Sequence, residues 1–394
     1  ADVFATTEIP EEISGRVQVP SSGGGWSWGT LRNINTLLGN LHFCNDKEAV
    51  TYYEAVAKFF RVYYYFNMVK QFGDVPWYDK ELASNDPDLY KARDTREFIM
   101  QKMLEDIDFA IANLPAKKDV YKVTKWTALA LKSRFCLFEG TFRKYHKITQ
   151  YENGADYYLE LCAEASHEFI TSSGYSIAKD ASDPEMNYRK LFSTMNATNK
   201  EVILARDYNA ALGLVHNVGG AFNTASNGRY GMTRKVVAAY LMKDGSRFTA
   251  KEGWETMSFM EETKDRDPRL AQSIITPTYI RDEETATSAQ NMANTTTGYA
   301  PIKYLTTAAY NAYNKSEFDL IIFRAAEVYL NYEEAKAELP VGTLTQDDLD
   351  ISVNKLRDRV GMPPINLIAA NADPDPFLKA PATGVNTWGG FSKV

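Results

Sequence analysis

Residues 59–79 read FFRVYYYFNMVKQFGDVPWYD. Phe59, Val62, Phe66 and Val69 recur at spacings of three and four, and Tyr52 and Ala55 extend that stripe towards the N-terminus. Tyr53, Val56, Phe60 and Tyr64 mark a second stripe. The periodicity predicts one long helix over residues 48–71, stopped by Gly73 and Pro76. Two apolar stripes on one helix predict contact on both sides, the condition of a helix inside a helical stack.

The flanking chain continues the pattern. Helices are predicted over residues 30–38, 95–113, 125–142 and 155–170, and again over 320–339 and 349–360. In the 125–142 segment Trp126, Ala130, Ser133 and Leu137 mix large and small side chains, and small residues permit close helix contact. Lengths and pairing are those of tetratricopeptide-like units, although the formal repeat consensus is absent. The expected fold class is therefore mainly α, a superhelix of tetratricopeptide-like helix pairs with a loop-rich variable region.

Residues 171–319 break the pattern with scattered Gly, Asn, Thr and Tyr. Residues 202–205 (VILA) suit a short strand and 236–242 a short helix, while 217–231 and 281–299 read as long polar loops, which in a folded chain are functional or mobile. Residues 361–394 read as irregular chain, with Trp388 tucking a tail against the body. Three parts are expected: a helical scaffold with an early binding loop (1–170), a loop-rich variable region (171–319), and C-terminal helices packing back on the scaffold (320–394).

The 394 residues are 44% apolar and 24% charged, globular composition with ample core. A net charge of -7 without a basic patch argues against a nucleic-acid partner. The three cysteines, Cys44, Cys136 and Cys162, form neither a CxxC pair nor a dense disulfide framework. No run of 18 apolar residues predicts a transmembrane helix.

Catalytic and metal signatures are missing. The four histidines, His42, His146, His167 and His216, are dispersed, and no HExxH, GxSxG or P-loop occurs. Asp74, Asp265 and Asp267 lie in GDVP and DRDPR, where aspartate accepts backbone N–H bonds in turns. Glu333, Glu334 and Glu338 read as a solvated helix face. Neither a catalytic residue, a metal ligand nor a cofactor is expected.

Aromatic residues are more informative, at 13% of the chain. Ser21-Ser22-Gly23-Gly24-Gly25 delivers Trp26 and Trp28 two positions apart, with Arg32, Asn33 and Asn35 close behind. Flat aromatic faces stack on the C–H faces of sugar rings, and ring hydroxyls then need polar partners. The competing structural reading is that these tryptophans anchor the loop to the core. Trp77 and Trp126 read as core. The ligand-contacting set expected from sequence is Trp26, Trp28, Arg32, Asn223, Trp254 and Tyr299, with Arg32 and Asn223 donating hydrogen bonds.

The 59–79 stretch also resembles the hallmark of the SusD/RagB family, glycan-binding outer-membrane lipoproteins. WTALALKSRFCLFEG (126–140), NKEVILA (199–205), DRDPRL (265–270), FDLIIFRAAEVYLNYEEAKAEL (318–339) and NKLRDRVGMP (354–363) resemble further family segments, in family order. The resemblance implies a non-enzymatic surface subunit that pairs with a SusC-like TonB-dependent transporter and captures glycans for uptake. It also implies a lipid anchor at the outer membrane, through a lipobox cysteine absent from this sequence, and a further C-terminal helix. A chain trimmed at both ends is the corresponding expectation. A peptide- or protein-fragment-binding lid of such a transporter is the alternative, and a glycoside hydrolase a more remote one.

Overall fold

The computed structural model describes residues 3–379, apart from residues 9, 10, 19, 20, 181, 183, 184 and 199. Its frame consists of α1 (Gly29–Asn40), α2 (Lys47–Phe72), α3 (Arg96–Asn113), α4 (Lys125–Tyr145), α5 (Ala155–Ser172) and α6 (Ala325–Glu338). Each of the first five packs on its successor, and α6 returns from late in the chain to pack on α5 and α4. The result is the expected helical stack.

Local chemistry sets the helix ends. The Asp46 carboxylate accepts the N–H groups of Glu48 and Ala49 at the start of α2, and Gly73, at φ 70°, ends it by donating its N–H to Val69 O. The Thr95 hydroxyl accepts from Phe98 N to cap α3. Thr124 and Thr127 form a reciprocal capping box on α4.

Between α4 and α5 the approach is closest at Gly140. A Cβ there would lie 2.7 Å from Leu159 Cγ and 3.1 Å from Ala155 O. Gly140→Ala is therefore expected to destabilise by about 1–3 kcal/mol through overpacking, although alanine is the better helix former by about 1 kcal/mol. A urea melt with an unchanged or higher midpoint would contradict this close approach.

The main core draws on all six of these helices, and Phe59, Val62, Tyr65, Phe135, Tyr158, Phe169 and Val328 are all buried in it. Trp77 and Trp126 are core residues, as expected. On α2 only one stripe is truly buried: Ala55, Phe59, Val62, Phe66 and Val69 face inward. Tyr53 and Phe60 of the other stripe are exposed, so two-sided contact holds only in part.

Strand structure is sparse. β1 (Phe4–Ala5) pairs antiparallel with β3 (Gly231–Met232), and β2 (Val202–Arg206) with β4 (Leu320–Arg324). Residues 320–324 thus correct the helix expected to start at Leu320: LIIFR is extended and pairs with the VILAR strand, and the helix starts only at Ala325. The expected 349–360 helix is likewise split into α7 (Gln346–Ile351) and α8 (Val353–Asp358). Ser352 interrupts it, with φ -119° and ψ -101°. The 236–242 helix is found at Arg234–Ala239. Residues 361–394, expected to be irregular, contain short helices at Leu367–Ala372 and Pro376–Lys379; Trp388 lies outside the described residues.

The middle segment sends Tyr175, Ile203 and Leu204 into the main core and buries other apolar side chains in separate small clusters, around Tyr299, Trp254 and Tyr279. Among the described residues no helix is long and apolar enough to cross a membrane.

Candidate functional site: stacked aromatics on a glycine loop

The loop before α1 needs its glycines. Gly24 and Gly25 have φ of 54° and 81°, backbone that L side chains rarely adopt, and a Cβ on Gly25 would meet Gln71 Nε2 at 2.9 Å. The turn closes with Trp26 N donating to Gly23 O at 2.9 Å. Tyr64 from α2 donates its hydroxyl to Ser27 O at 2.7 Å, fixing the loop between the two tryptophans.

Trp26 and Trp28 come together as a stacked pair, centroids 5.5 Å apart and planes 18° from parallel. Trp26 also stacks on Phe72, the last residue of α2, at 4.2 Å and 8°. Trp28 meets Tyr78 edge-on at 5.3 Å and Tyr64 at 6.3 Å. The Arg93 guanidinium lies 5.1 Å from the Trp26 ring centre, a cation–π contact. Both indoles are half-buried and pack against the main core. The platform thus combines the two readings of the sequence: the rings anchor the loop and still present surface to solvent.

Polar groups surround it. Asn35 donates to Tyr78 O at 3.0 Å and to Lys80 O at 3.1 Å, tying α1 to the 78–80 segment. Glu81 accepts from Thr36 at 2.9 Å and from Arg32 at 3.1 Å. These hydrogen bonds, Thr36 first, hold the Glu81 carboxyl below the usual range. Burial pushes the Tyr64 phenol up to about 12. Burial, with the charges of Asp88, Asp94 and Asp86, also raises that of Tyr78.

Of the other expected contact residues, Asn223, Tyr299 and Trp254 lie elsewhere, while Arg32 lies beside the platform, its backbone N–H donating to Trp28 O at 2.8 Å. Its largely exposed guanidinium is paired with Glu81 at 3.0 Å. Asn223 ends a short helix, Val218–Asn223, and its carbonyl accepts from Asn294 at 2.7 Å. Tyr299 is buried and donates its hydroxyl to Glu262 at 2.7 Å, while also lining a cavity of about 550 Å³ with Phe259 and Met292. Trp254 must be withdrawn as a ligand-stacking residue: it is 8% exposed and packs edge-to-face with Phe248 and Phe377. The early tryptophans, Tyr299 and Trp254 belong to three different clusters rather than one.

Sequence reasoning missed Phe72, Tyr78 and Arg93. Phe72 and Tyr78 flank the GDVPW turn, and only the turn's return path brings them under the Trp26–Trp28 loop. Arg93 carries no sequence signal for its place.

Of the acidic turn residues, Asp74 and Asp267 accept backbone N–H groups as expected, while Asp265 takes part through its backbone carbonyl, which accepts from Lys243 N at 2.7 Å. Asp74 accepts from Arg96 N at 2.8 Å, and Asp267 from Arg269 N at 2.9 Å. Glu338 departs from the solvated-face expectation by accepting the Tyr145 hydroxyl and pairing with Lys144 at 2.9 Å. Among the described residues no group of His, Cys, Asp and Glu side chains could hold a metal ion.

A model of the SusD family matches residues 148–383, and one described as starch-binding, associating with outer membrane, matches residues 28–137. Among curated proteins none matches the chain. Solved structures share the fold. A SusD-like carbohydrate-binding protein from Bacteroides fragilis NCTC 9343 aligns with a TM-score of 0.71 at 20% identity, over 93% of this chain and 72% of its own. A second SusD-like protein from Bacteroides fragilis NCTC 9343 gives 0.66 at 24% identity, over 88% and 67%. A structure solved with a xylogluco-oligosaccharide gives 0.68 at 17% identity, over 92% and 70%. With more than half of its length matched by the family model, over a helical stack of the same architecture, the chain belongs to the SusD family.

Proposed function

We propose that this protein is the glycan-binding subunit of a surface nutrient-uptake complex, with the Trp26–Trp28 platform as its sugar-stacking surface. Members of the family bind glycans without cleaving them. The observation that carries the reading is a pair of half-exposed, mutually stacked indoles on a glycine loop, at the edge of the segment that matches the starch-binding family. The ring surface that these indoles leave open to solvent suits the C–H faces of pyranose rings. Arg32 and Arg93 supply donors for ring hydroxyls. The helices and late elements act as scaffold, the middle segment as variable surface, a SusC-like TonB-dependent transporter as partner, and a lipid anchor in the full-length protein as the link to the outer membrane.

Calorimetric titration with malto-, laminari- and xylogluco-oligosaccharides tests the reading, and saturable heat with at least one is expected. Binding of peptides with no response to any glycan would replace it by the peptide-lid alternative.

Binding should also be flat from about pH 6 to pH 9. Tyr64 and Tyr78 are raised above the ordinary tyrosine value and stay protonated throughout, while Glu81 is lowered and stays ionised. None of these three groups changes charge in that window. Affinities that vary more than about threefold across it would point to a different, titrating site.

A further inference from the structure

Away from the platform, a cleft of about 520 Å³ is lined by Arg269, Arg324, Arg357 and Arg359, with Leu330, Leu356, Ile365 and Leu378 as apolar walls. The counter-charges are too few. Arg269 forks onto Asp267, with Nε at 3.0 Å. Arg324 and Arg359 share one carboxylate, Glu201, at 3.1 and 2.9 Å. Glu201 is buried and also accepts from Ala178 N at 2.7 Å.

Arg357 is only 8% exposed, and its Nε donates to the Pro363 carbonyl. Among the described residues no acidic side chain pairs with it, and the buried Nε of Arg359 has no acceptor. Four guanidinium groups therefore meet two carboxylates, an excess of two positive charges in a partly desolvated cleft. A buried charge without a counter-charge is strongly unfavourable.

Burial, followed by the neighbouring Arg269 charge and against the opposing Asp267 charge, lowers the pKa of Arg357. Tyr188, which also lines the cleft, is lowered although burial alone would raise it, because Lys303, Arg324 and Arg359 outweigh burial.

Guanidinium forks match carboxylate geometry, and the fixed fork makes arginine the preferred partner for planar anions. A bare inorganic anion would leave the leucine and isoleucine walls without contact. We propose that this cleft is a binding site for a small organic dicarboxylate, whose two charges match the arginine excess and whose carbon frame lies against Leu330, Leu356 and Ile365. This inference does not rest on the glycan reading.

The test is thermal unfolding and calorimetry with succinate, glutarate and digalacturonate. Inorganic phosphate, neutral maltotriose and a glutamate-rich peptide complete the set. At about 100 times Kd a dicarboxylate is expected to raise Tm by about 3 °C. Phosphate, maltotriose and the peptide are expected to leave it unchanged. Arg357→Met should raise Tm in anion-free buffer, because it removes an uncompensated charge, and should weaken dicarboxylate binding about tenfold or more. Three results would each overturn the proposal: no dicarboxylate response in the parent protein, an equal or larger response to phosphate or the peptide, or a lower anion-free Tm in Arg357→Met. The parent titrations decide the matter even if the variant fails to fold. Glycan binding at the tryptophan platform is measured separately, so loss of either reading leaves the other standing.

Discussion

Glu139→Gln is expected to cost about 3–5 kcal/mol of folding free energy, read as a lowered urea midpoint with an unchanged slope. The carboxylate is fully buried between two guanidinium groups. Arg96 donates to it at 2.7 and 2.8 Å, and Arg143 at 2.7 Å. Arg143 in turn pairs with Glu97 at 2.6 Å, and Glu97 accepts from Asn153 at 3.1 Å. Burial alone would lower the pKa of Arg143, but the Glu139 charge and hydrogen bond outweigh it and raise the net value. Glutamine keeps the shape and removes the charge, leaving Arg96 without its ionic partner and Arg143 with Glu97 alone. The double variant Arg96→Met/Glu139→Met should recover much of the loss, because replacing a buried pair by apolar side chains is far less costly than breaking it. A Glu139→Gln protein within about 0.5 kcal/mol of the parent would show that this network adds little.

The same network reaches the aromatic platform. Arg96 begins α3, and its backbone N–H holds the Asp74 carboxylate. That turn joins Phe72, beneath Trp26, to Trp77 and Tyr78, beside Trp28. The buried ions therefore help to set where the aromatic floor lies. Partial unfolding of the α3–α4 contact should loosen the platform before the rest of the stack.

How much of this was legible in the sequence follows the range of the interactions. Capping and periodicity act over a few residues, and the long helices at Lys47–Phe72, Arg96–Asn113 and Ala155–Ser172 lie close to where the spacing places them. The LIIFR segment shows the limit. Its apolar run suits a helix or a strand equally, and only pairing with Val202–Arg206, more than a hundred residues earlier, makes it extended. The break at Ser352 has no local signal, since a serine is compatible with the helix on either side.

The geometry of the candidate site was legible in part for the same reason. Trp26 and Trp28 announce themselves through adjacent glycines, which act locally. Trp254 carries the same aromatic signal in a loop-rich segment, yet Phe377, from far along the chain, packs on it and takes it out of reach. The four arginines of the cleft come from three separate stretches, 265–270, 318–339 and 354–363; each is visible in the sequence as a segment, but nothing local says that the fold brings them to one cavity.

Trp28→Ala is expected to weaken glycan binding by about 2 kcal/mol or more, roughly thirtyfold in Kd, and Trp26→Ala by a similar amount. A role in ligand stacking alone would leave Tm nearly unchanged. The structure revises that expectation: both rings pack against the main core, and Trp26 lies on Phe72 at 4.2 Å. Each alanine variant should therefore also melt earlier. Binding must then be compared well below Tm, with the folded fraction checked by circular dichroism. Trp26→Phe and Trp28→Phe separate the effects, since each keeps a flat ring for stacking while giving up indole area, and each should retain more affinity than the alanine variant. A loop that served only as an anchor would lose stability in every variant and leave the Kd of the folded fraction unchanged. That outcome would assign the tryptophans to the scaffold and move the glycan elsewhere on the molecule.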